Sequence, residues 1–220
     1  SELIDDSSYS TSSSESIKLS VEETSDNVAD YQTWRTGAFG TVVSYKFIAL
    51  YEFLQKYEFV LLTDGDIVFL KPQFLSHILS AANNVELVVQ CGLNAPWVPN
   101  QVCSVIGNFS GPDGTMAIRH SEGLCSGFML IRSNPNSLHV LNPEVLFPDA
   151  SYLSPFDDQE YLNDKLRYKL RYHVLDTALF PNGSPYVFKQ PPNDPYIIHF
   201  NFLRSHEKKE AMKEQGQWYL

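Results

Sequence analysis

Cysteine is scarce in this chain, basic residues are outnumbered, and no apolar run is long. The three cysteines, Cys91, Cys103 and Cys125, are too few and too scattered for a disulfide framework or a zinc cluster, and they read as free or partly buried thiols. No stretch approaches the ~18 uninterrupted apolar residues of a membrane span. Sixteen Lys and Arg stand against 26 Asp and Glu, giving a net charge of -10. That balance excludes the broad basic surface of a nucleic-acid binder. An anionic ligand would need a local site built from a metal and a few placed cations. No internal repeat is visible. An initiating Met and a signal-like segment are also missing, so truncation or processing at this end is the expectation. Without an anchor, a cytoplasmic setting is expected, and a clipped Golgi-lumenal catalytic domain is the alternative.

A chain of 220 residues that is 43% hydrophobic can bury a full core. It reads most simply as one domain, 1–220, with residues 1–30 as a mobile or truncated N-terminal segment. Ser7 to Ser16 holds seven serines and almost nothing apolar, which suits a tail. Ile17 to Val21 alternates as a short strand would. Val43, Phe47, Leu50, Tyr51 and Leu54 follow helical spacing within Val42 to Tyr57, with Lys46 at one edge of the apolar face. A strand follows from Phe59 to Leu62, then a helix over Phe74 to Ala82 and a strand over Val85 to Gln90. The stretch from there to about Ile118 reads as a long irregular segment. Ser126 to Arg132 is a strand, Pro135 to Leu141 a helix capped by Asn134, and Phe156 to about Leu166 a helix with acids in its first turn. Tyr172 to Leu175 and Tyr196 to His199 read as short strands, and Lys208 to Gln215 as a terminal helix. Helices alternating with strands imply an α/β fold with a central mixed, mostly parallel sheet flanked by helices.

The chemistry gathers where the first strong strand ends. In Val60 to Phe69 an apolar run breaks after Thr63 at Asp64 and Asp66, separated only by Gly65, and then resumes, at the end of the sheet where open α/β folds bind ligands. Ionised carboxylates there cost several kcal/mol unless paired. A hard divalent cation, Mn²⁺ or Mg²⁺, is the usual partner, and an Asp-x-Asp on extended backbone points both side chains to one side. The spacing of an EF-hand is missing. His199 follows the apolar strand Ile197-Ile198, and Asp157-Asp158-Gln159 opens a helix, where one acid is accounted for by capping. The Asn108 and Asn182 sequons match the glycosylation pattern.

In order along the chain these pieces are Lys46; Leu62 to Leu70 around Asp64-Gly65-Asp66; Cys125 to Ser133 around Gly127; Asp158-Gln159 with Asn163; Phe180-Pro181-Asn182-Gly183; and His199-Phe200-Asn201 through Lys208-Lys209 to Gly216-Gln217-Trp218. The ordered set resembles the nucleotide-diphospho-sugar transferases of the GT-A fold, a single Rossmann-type domain, and most closely the glycosyltransferase family 77 type. The resemblance implies a metal-dependent enzyme moving a sugar, with retention, from a nucleotide-diphosphate donor such as a UDP-sugar to a hydroxyl on a glycan or glycoprotein. It implies Asp64, Asp66 and His199 as ligands of Mn²⁺ (or Mg²⁺), and Lys46, Asp64, Gly65, Asp66 and Gly127 at the donor. Lys208 or Lys209 would bind the diphosphate. Asp158 and Gln159, with Asp157, would sit at the reacting centre. Phe202 stands where the family usually has Trp, and Ser205-His206 replaces a glycine before the lysine. Trp34 and Trp97 are candidates for stacking on the acceptor. The alternative is a haloacid dehalogenase-type Mg²⁺ phosphatase or phosphotransferase with Asp64 as nucleophile and Asp66 as acid/base. A non-catalytic sugar-binding module with a structural cation is a further rival.

Overall fold

A computed structural model of the protein describes residues 37–92, 105–110, 116–120, 123–149, 151, 156–183, 189, 191–203 and 205–217. The chain divides into two compact units, Ser1–Tyr31 and Gln32–Leu220, and all described residues belong to the second. The serine-rich tract, the Ile17 to Val21 strand, and the readings of Trp34, Trp97, Cys103 and Trp218 lie outside the described residues.

Helix α1 (Gly37–Leu54) buries Val43, Phe47, Leu50 and Leu54, the i, i+4, i+7, i+11 stripe that its sequence carries. Each such side chain contributes about 1.5–3 kcal/mol of burial. Phe47 meets Phe156 and Tyr161 edge-on, at 5.4 and 6.0 Å between centroids. The neighbouring Lys46 is thereby held at the margin of the packed face and aimed along it.

The main sheet joins β1 (Phe59–Thr63), β3 (Leu87–Gly92), β6 (Gly123–Arg132) and β7 (Tyr172–Val174) in the order β1-β6-β3-β7. Its residues alternate between two cores. Leu87, Val89, Met129 and Ile131 enter one cluster with α1, while Val88, Phe128 and Leu130 enter another beneath α2 (Gln73–Ala81). Burial on both faces explains why these strands read as nearly continuous apolar runs.

The sheet is mixed and flanked by helices, but it is not mostly parallel as expected. Two of its three pairings are antiparallel, and only β3 with β7 is parallel. The reason lies between β3 and β6. Parallel neighbours need a crossover, usually a helix; the described residues of the segment read as irregular form a hairpin, β4 (Val105–Ser110) with β5 (Met116–His120). The chain therefore returns along β6 in the opposite direction.

A second ribbon pairs β2 (Ile67–Phe69) with β8 (Ile197–His199), antiparallel. Short helices α3 (Pro135–Val140), α4 (Pro143–Leu146) and α5 (Asp158–Asp164) follow β6, and α6 (Ser205–Glu214) ends the described chain. Asn134 caps α3 through a reciprocal bond with Ser137, with Pro135 just inside, as its sequence predicts. Among the described residues no helix is long and apolar enough to cross a membrane. Cys125 is a free, buried thiol. Cys91, against the expectation of free thiols, is disulfide-bonded.

Candidate active site

Asp64 follows the last residue of β1, and Asp66 precedes the first of β2, so the two acids flank a tight turn rather than lying on one extended strand. The turn is tied at both ends. The Asp64 amide donates to the Gly127 carbonyl at 2.8 Å, and the Phe200 amide to the Asp66 carbonyl at 3.0 Å. β8 thus brings His199 to the pair, with Nε2 at 3.3 Å from Asp66 Oδ1 and 3.9 Å from Asp64 Oδ2. One ligand atom from each residue lies within 4.8 Å of the other two.

This donor set fits a hard or borderline divalent ion. Two carboxylate oxygens and one imidazole nitrogen on one side leave room for oxygen ligands on the other, and the nitrogen favours Mn²⁺ over Mg²⁺. Gly127 makes the fit possible. A Cβ at that position would fall 2.2 Å from His199 Cε1 and 2.7 Å from Asp64 Oδ2. A register shift at Val89/Gln90 sets this up: Val89 faces Met129, yet Gln90 faces Cys125, so residues 126–128 bow away from β3 while Phe128 stays paired with Thr63 of β1. Gly65 differs, since nothing would lie within 4 Å of a Cβ there.

Two lysines complete the charge pattern. Lys46 Nζ sits 2.7 Å from Asp64 Oδ1 and 2.6 Å from Asp158 Oδ2, and Lys208 Nζ 2.6 Å from Asp66 Oδ2. Burial alone would push the Lys46 ammonium down, but Asp158 and then Asp64 outweigh it and hold it above the ordinary lysine value. Burial likewise opposes the charge on Asp66, yet His199 and then Lys208 keep its carboxyl well below the usual range. For His199 burial opposes protonation, while Cys125 and Asp66 overcome it and push the imidazole up to about 10. His199 and Asp66 are therefore matched as imidazolium and carboxylate, and a cation would displace the imidazolium proton.

Lys46, Asp64, Gly65, Asp66, Asp158 and Lys208 line one cavity of about 450 Å³, walled on its apolar side by Val42 and Val43. The other sequence-derived candidates lie around it. Asp157 is the N-cap of α5, its carboxylate accepting from the Glu160 amide at 2.9 Å, which assigns the capping acid and leaves Asp158 turned to the cavity. Gln159 accepts from the amide and hydroxyl of Ser126 at 2.9 and 3.1 Å, bracing the bowed segment from behind. Lys209 is exposed on α6, one residue beyond Lys208 and so about 100° around the helix. It does not line the cavity.

Two motifs recognised separately in sequence meet in space. Asn201 Oδ1 accepts from the Gly183 amide at 2.6 Å, and a Cβ at Gly183 would fall 1.9 Å from the Asn201 carbonyl oxygen. The motif Phe180 to Gly183 thus forms the bed on which His199 to Asn201 rests. One participant was missed. Gln90 is fully buried and places Oε1 2.7 Å from His199 Nδ1; the signal was present as a single amide at the end of an apolar strand.

Comparison with known proteins identifies the family. The family model of the nucleotide-diphospho-sugar transferases matches residues 4–212. The chain belongs to this family. That membership leaves the phosphatase alternative without support. Among relatives of this transferase, a UDP-galactose:fucoside alpha-3-galactosyltransferase of Dictyostelium discoideum is 30% identical over 127 aligned residues, covering 45% of this chain and 19% of that protein. The match thus spans about a fifth of the relative's length. A glycosyltransferase involved in glycosylation of the major capsid of PBCV-1 superposes with a TM-score of 0.49 at 15% identity, covering 84% of this chain and 81% of that one. Mouse xyloside xylosyltransferase 1 in its apo form gives 0.42 at 15% identity, over 73% and 63%.

Proposed function

We propose that this transferase domain moves a sugar from a nucleotide-diphosphate donor to a hydroxyl of a glycan or glycoprotein. The observation that carries the reading is the convergence of Asp64, Asp66 and His199 beside Lys46 and Lys208 on one cavity. Asp64, Asp66 and His199 would hold Mn²⁺ or Mg²⁺. When bound, such an ion offsets negative charge on the departing diphosphate as a Lewis acid.

The chain's own residues do the rest. Lys208 pairs with Asp66 on an exposed helix and is placed to exchange that carboxylate for a diphosphate oxygen, which makes it the better candidate of the lysine pair. Lys46, fixed between Asp64 and Asp158, holds both carboxylates in place and presents Asp158 to the sugar. Both Asp158 oxygens are engaged, Oδ2 by Lys46 and Oδ1 by the Gln159 amide at 2.9 Å. That engagement suits a residue that orients a sugar hydroxyl rather than one that strips a proton from the acceptor, and it supports transfer with retention. The name of the Dictyostelium relative, a UDP-galactose-dependent enzyme, supports a uridine donor. The disulfide at Cys91 supports the oxidising, Golgi-lumenal alternative over a cytoplasmic setting. We read the whole of 1–220 as one glycosyltransferase domain.

Calorimetric titration with UDP, with and without Mn²⁺, tests the reading together with a screen of nucleotide sugars for Mn²⁺-dependent hydrolysis. Binding that requires the ion, and turnover of at least one UDP-sugar, are expected. UDP binding indifferent to Mn²⁺, or phosphatase activity without sugar release, would overturn it.

A further inference from the structure

We propose that Gln90 is a positioning residue that decides which nitrogen of His199 faces Asp64 and Asp66. The proposal rests on the metal site put forward above and adds a residue to it. Gln90 Oε1 lies 2.7 Å from His199 Nδ1. Gln90 Nε2 donates to the Phe180 and Pro181 carbonyls, both at 3.0 Å.

Those carbonyls can only accept, so they use both protons of the amide nitrogen and fix its orientation. Turning the amide over would set its oxygen against two carbonyl oxygens, in a place that no solvent reaches. Oε1 is therefore the atom presented to the ring, and an oxygen there obliges Nδ1 to donate. Cys125 Sγ, at 3.7 Å from the same nitrogen, is a weaker partner. With the Nδ1 proton held, Nε2 is the nitrogen left for a cation, and it is the one beside the carboxylates, at 3.3 and 3.9 Å.

The brace is continuous with the backbone of the site. The Pro181 carbonyl that receives the amide of Gln90 also receives the His199 main-chain amide at 3.2 Å. One carbonyl thus sets the strand that carries the ring and the side chain that sets the ring's tautomer. Partners of this kind on a ligating histidine fix its orientation and are commonly worth 10–100-fold in metal affinity.

Gln90→Met keeps the length and apolar volume of the side chain but removes the acceptor; Gln90→Glu restores an oxygen facing Nδ1. Mn²⁺ affinity is measured by the free-ion EPR signal, coordination by the ¹⁴N coupling in pulsed EPR, and folding by the thermal midpoint. The wild type is expected to bind Mn²⁺ with imidazole ¹⁴N coupling, Gln90→Met to bind roughly 10–100-fold more weakly with that coupling diminished, and Gln90→Glu to recover affinity and coupling relative to Gln90→Met at a lower thermal midpoint than the wild type, because its second oxygen meets the Phe180 and Pro181 carbonyls. A glutamine that served only the Phe180 and Pro181 carbonyls would lower the midpoint in both variants and leave affinity and coupling as in the wild type. That result would overturn the positioning role alone. A wild type that binds no Mn²⁺ would overturn the metal site, and the role of Gln90 with it.

Discussion

The two lysines of the cavity reach the same acidic turn from helices of opposite character. Lys46 stands on α1, whose buried stripe of Val43, Phe47, Leu50 and Leu54 locks the helix to the main core, and its ammonium bridges two carboxylates. Lys208 stands on α6, a helix of mostly charged residues whose Ala211 and Met212 pack against the small cluster of Val68, Ile198 and Phe200. One is a strut and the other an arm. Equal distances of 2.6 Å to Asp158 and to Asp66 conceal that difference, because what an ion pair contributes depends on what surrounds it rather than on its length.

Substitutions can break this contrast. The largest effect is expected from Asp66→Ala, which removes a carboxylate that serves the arm, the histidine and the cation together. Metal-dependent UDP binding and sugar release should both fall to background, and a fully active variant would sink the site assignment. Lys46→Met comes next. It leaves Asp158, 6% exposed, without its countercharge and should cost about 3–5 kcal/mol in urea unfolding. Lys46→Met with Asp158→Asn should recover part of that loss, since the pair then carries no unmatched charge.

The pH dependence should be intermediate. His199 is held up at about 10 against 6.5 for a free imidazole, so its contribution is complete below about pH 6.5 and is lost as pH rises through about 10. The thermal midpoint of the metal-free protein should decline across that window, and His199→Asn should flatten the decline. Mn²⁺ should bind more tightly over the same range as the competing proton leaves. The smallest stability change belongs to Lys208→Met, at about 1 kcal/mol or less because the pair is partly exposed. Donor affinity should nevertheless drop. If Lys208→Met destabilised the fold as much as Lys46→Met, the distinction between strut and arm would fail.

Much of this was legible in the residues. The apolar stripe of α1, the strand before Asp64 and the capped helix after β6 follow from periodicity and turn chemistry, the Asp64 and Asp66 pair from the cost of burying charge, and His199 joins them only through the family resemblance. Strand direction did not, because alternation is the same whichever way a strand runs; the pairing of β6 with both β1 and β3 is what decides it. Asp157 and Asp158 are alike as a sequence pair, and only the geometry of the first turn makes one a cap and turns the other inward. Lys208 and Lys209 separate for the same reason, by rotation around α6. Gln90 was hidden by its setting, since a lone amide in an apolar strand announces no partner until the fold brings His199 to it.

The turn Asp64-Gly65-Asp66 is also the covalent link from β1 in the main sheet to β2 in the smaller ribbon. The site lies across a seam. Ile67 and Ile197 of the ribbon already share a core with Val88, Phe128 and Leu130 of the main sheet, and whatever neutralises both acids at once ties the two sheets at their polar margin as well, so loading the site should slow amide exchange in Ile67–Phe69 and Ile197–His199 more than in β3 or β6. On the proposed reading, the charge that would prepare the chemistry doubles as the stitch that closes the fabric.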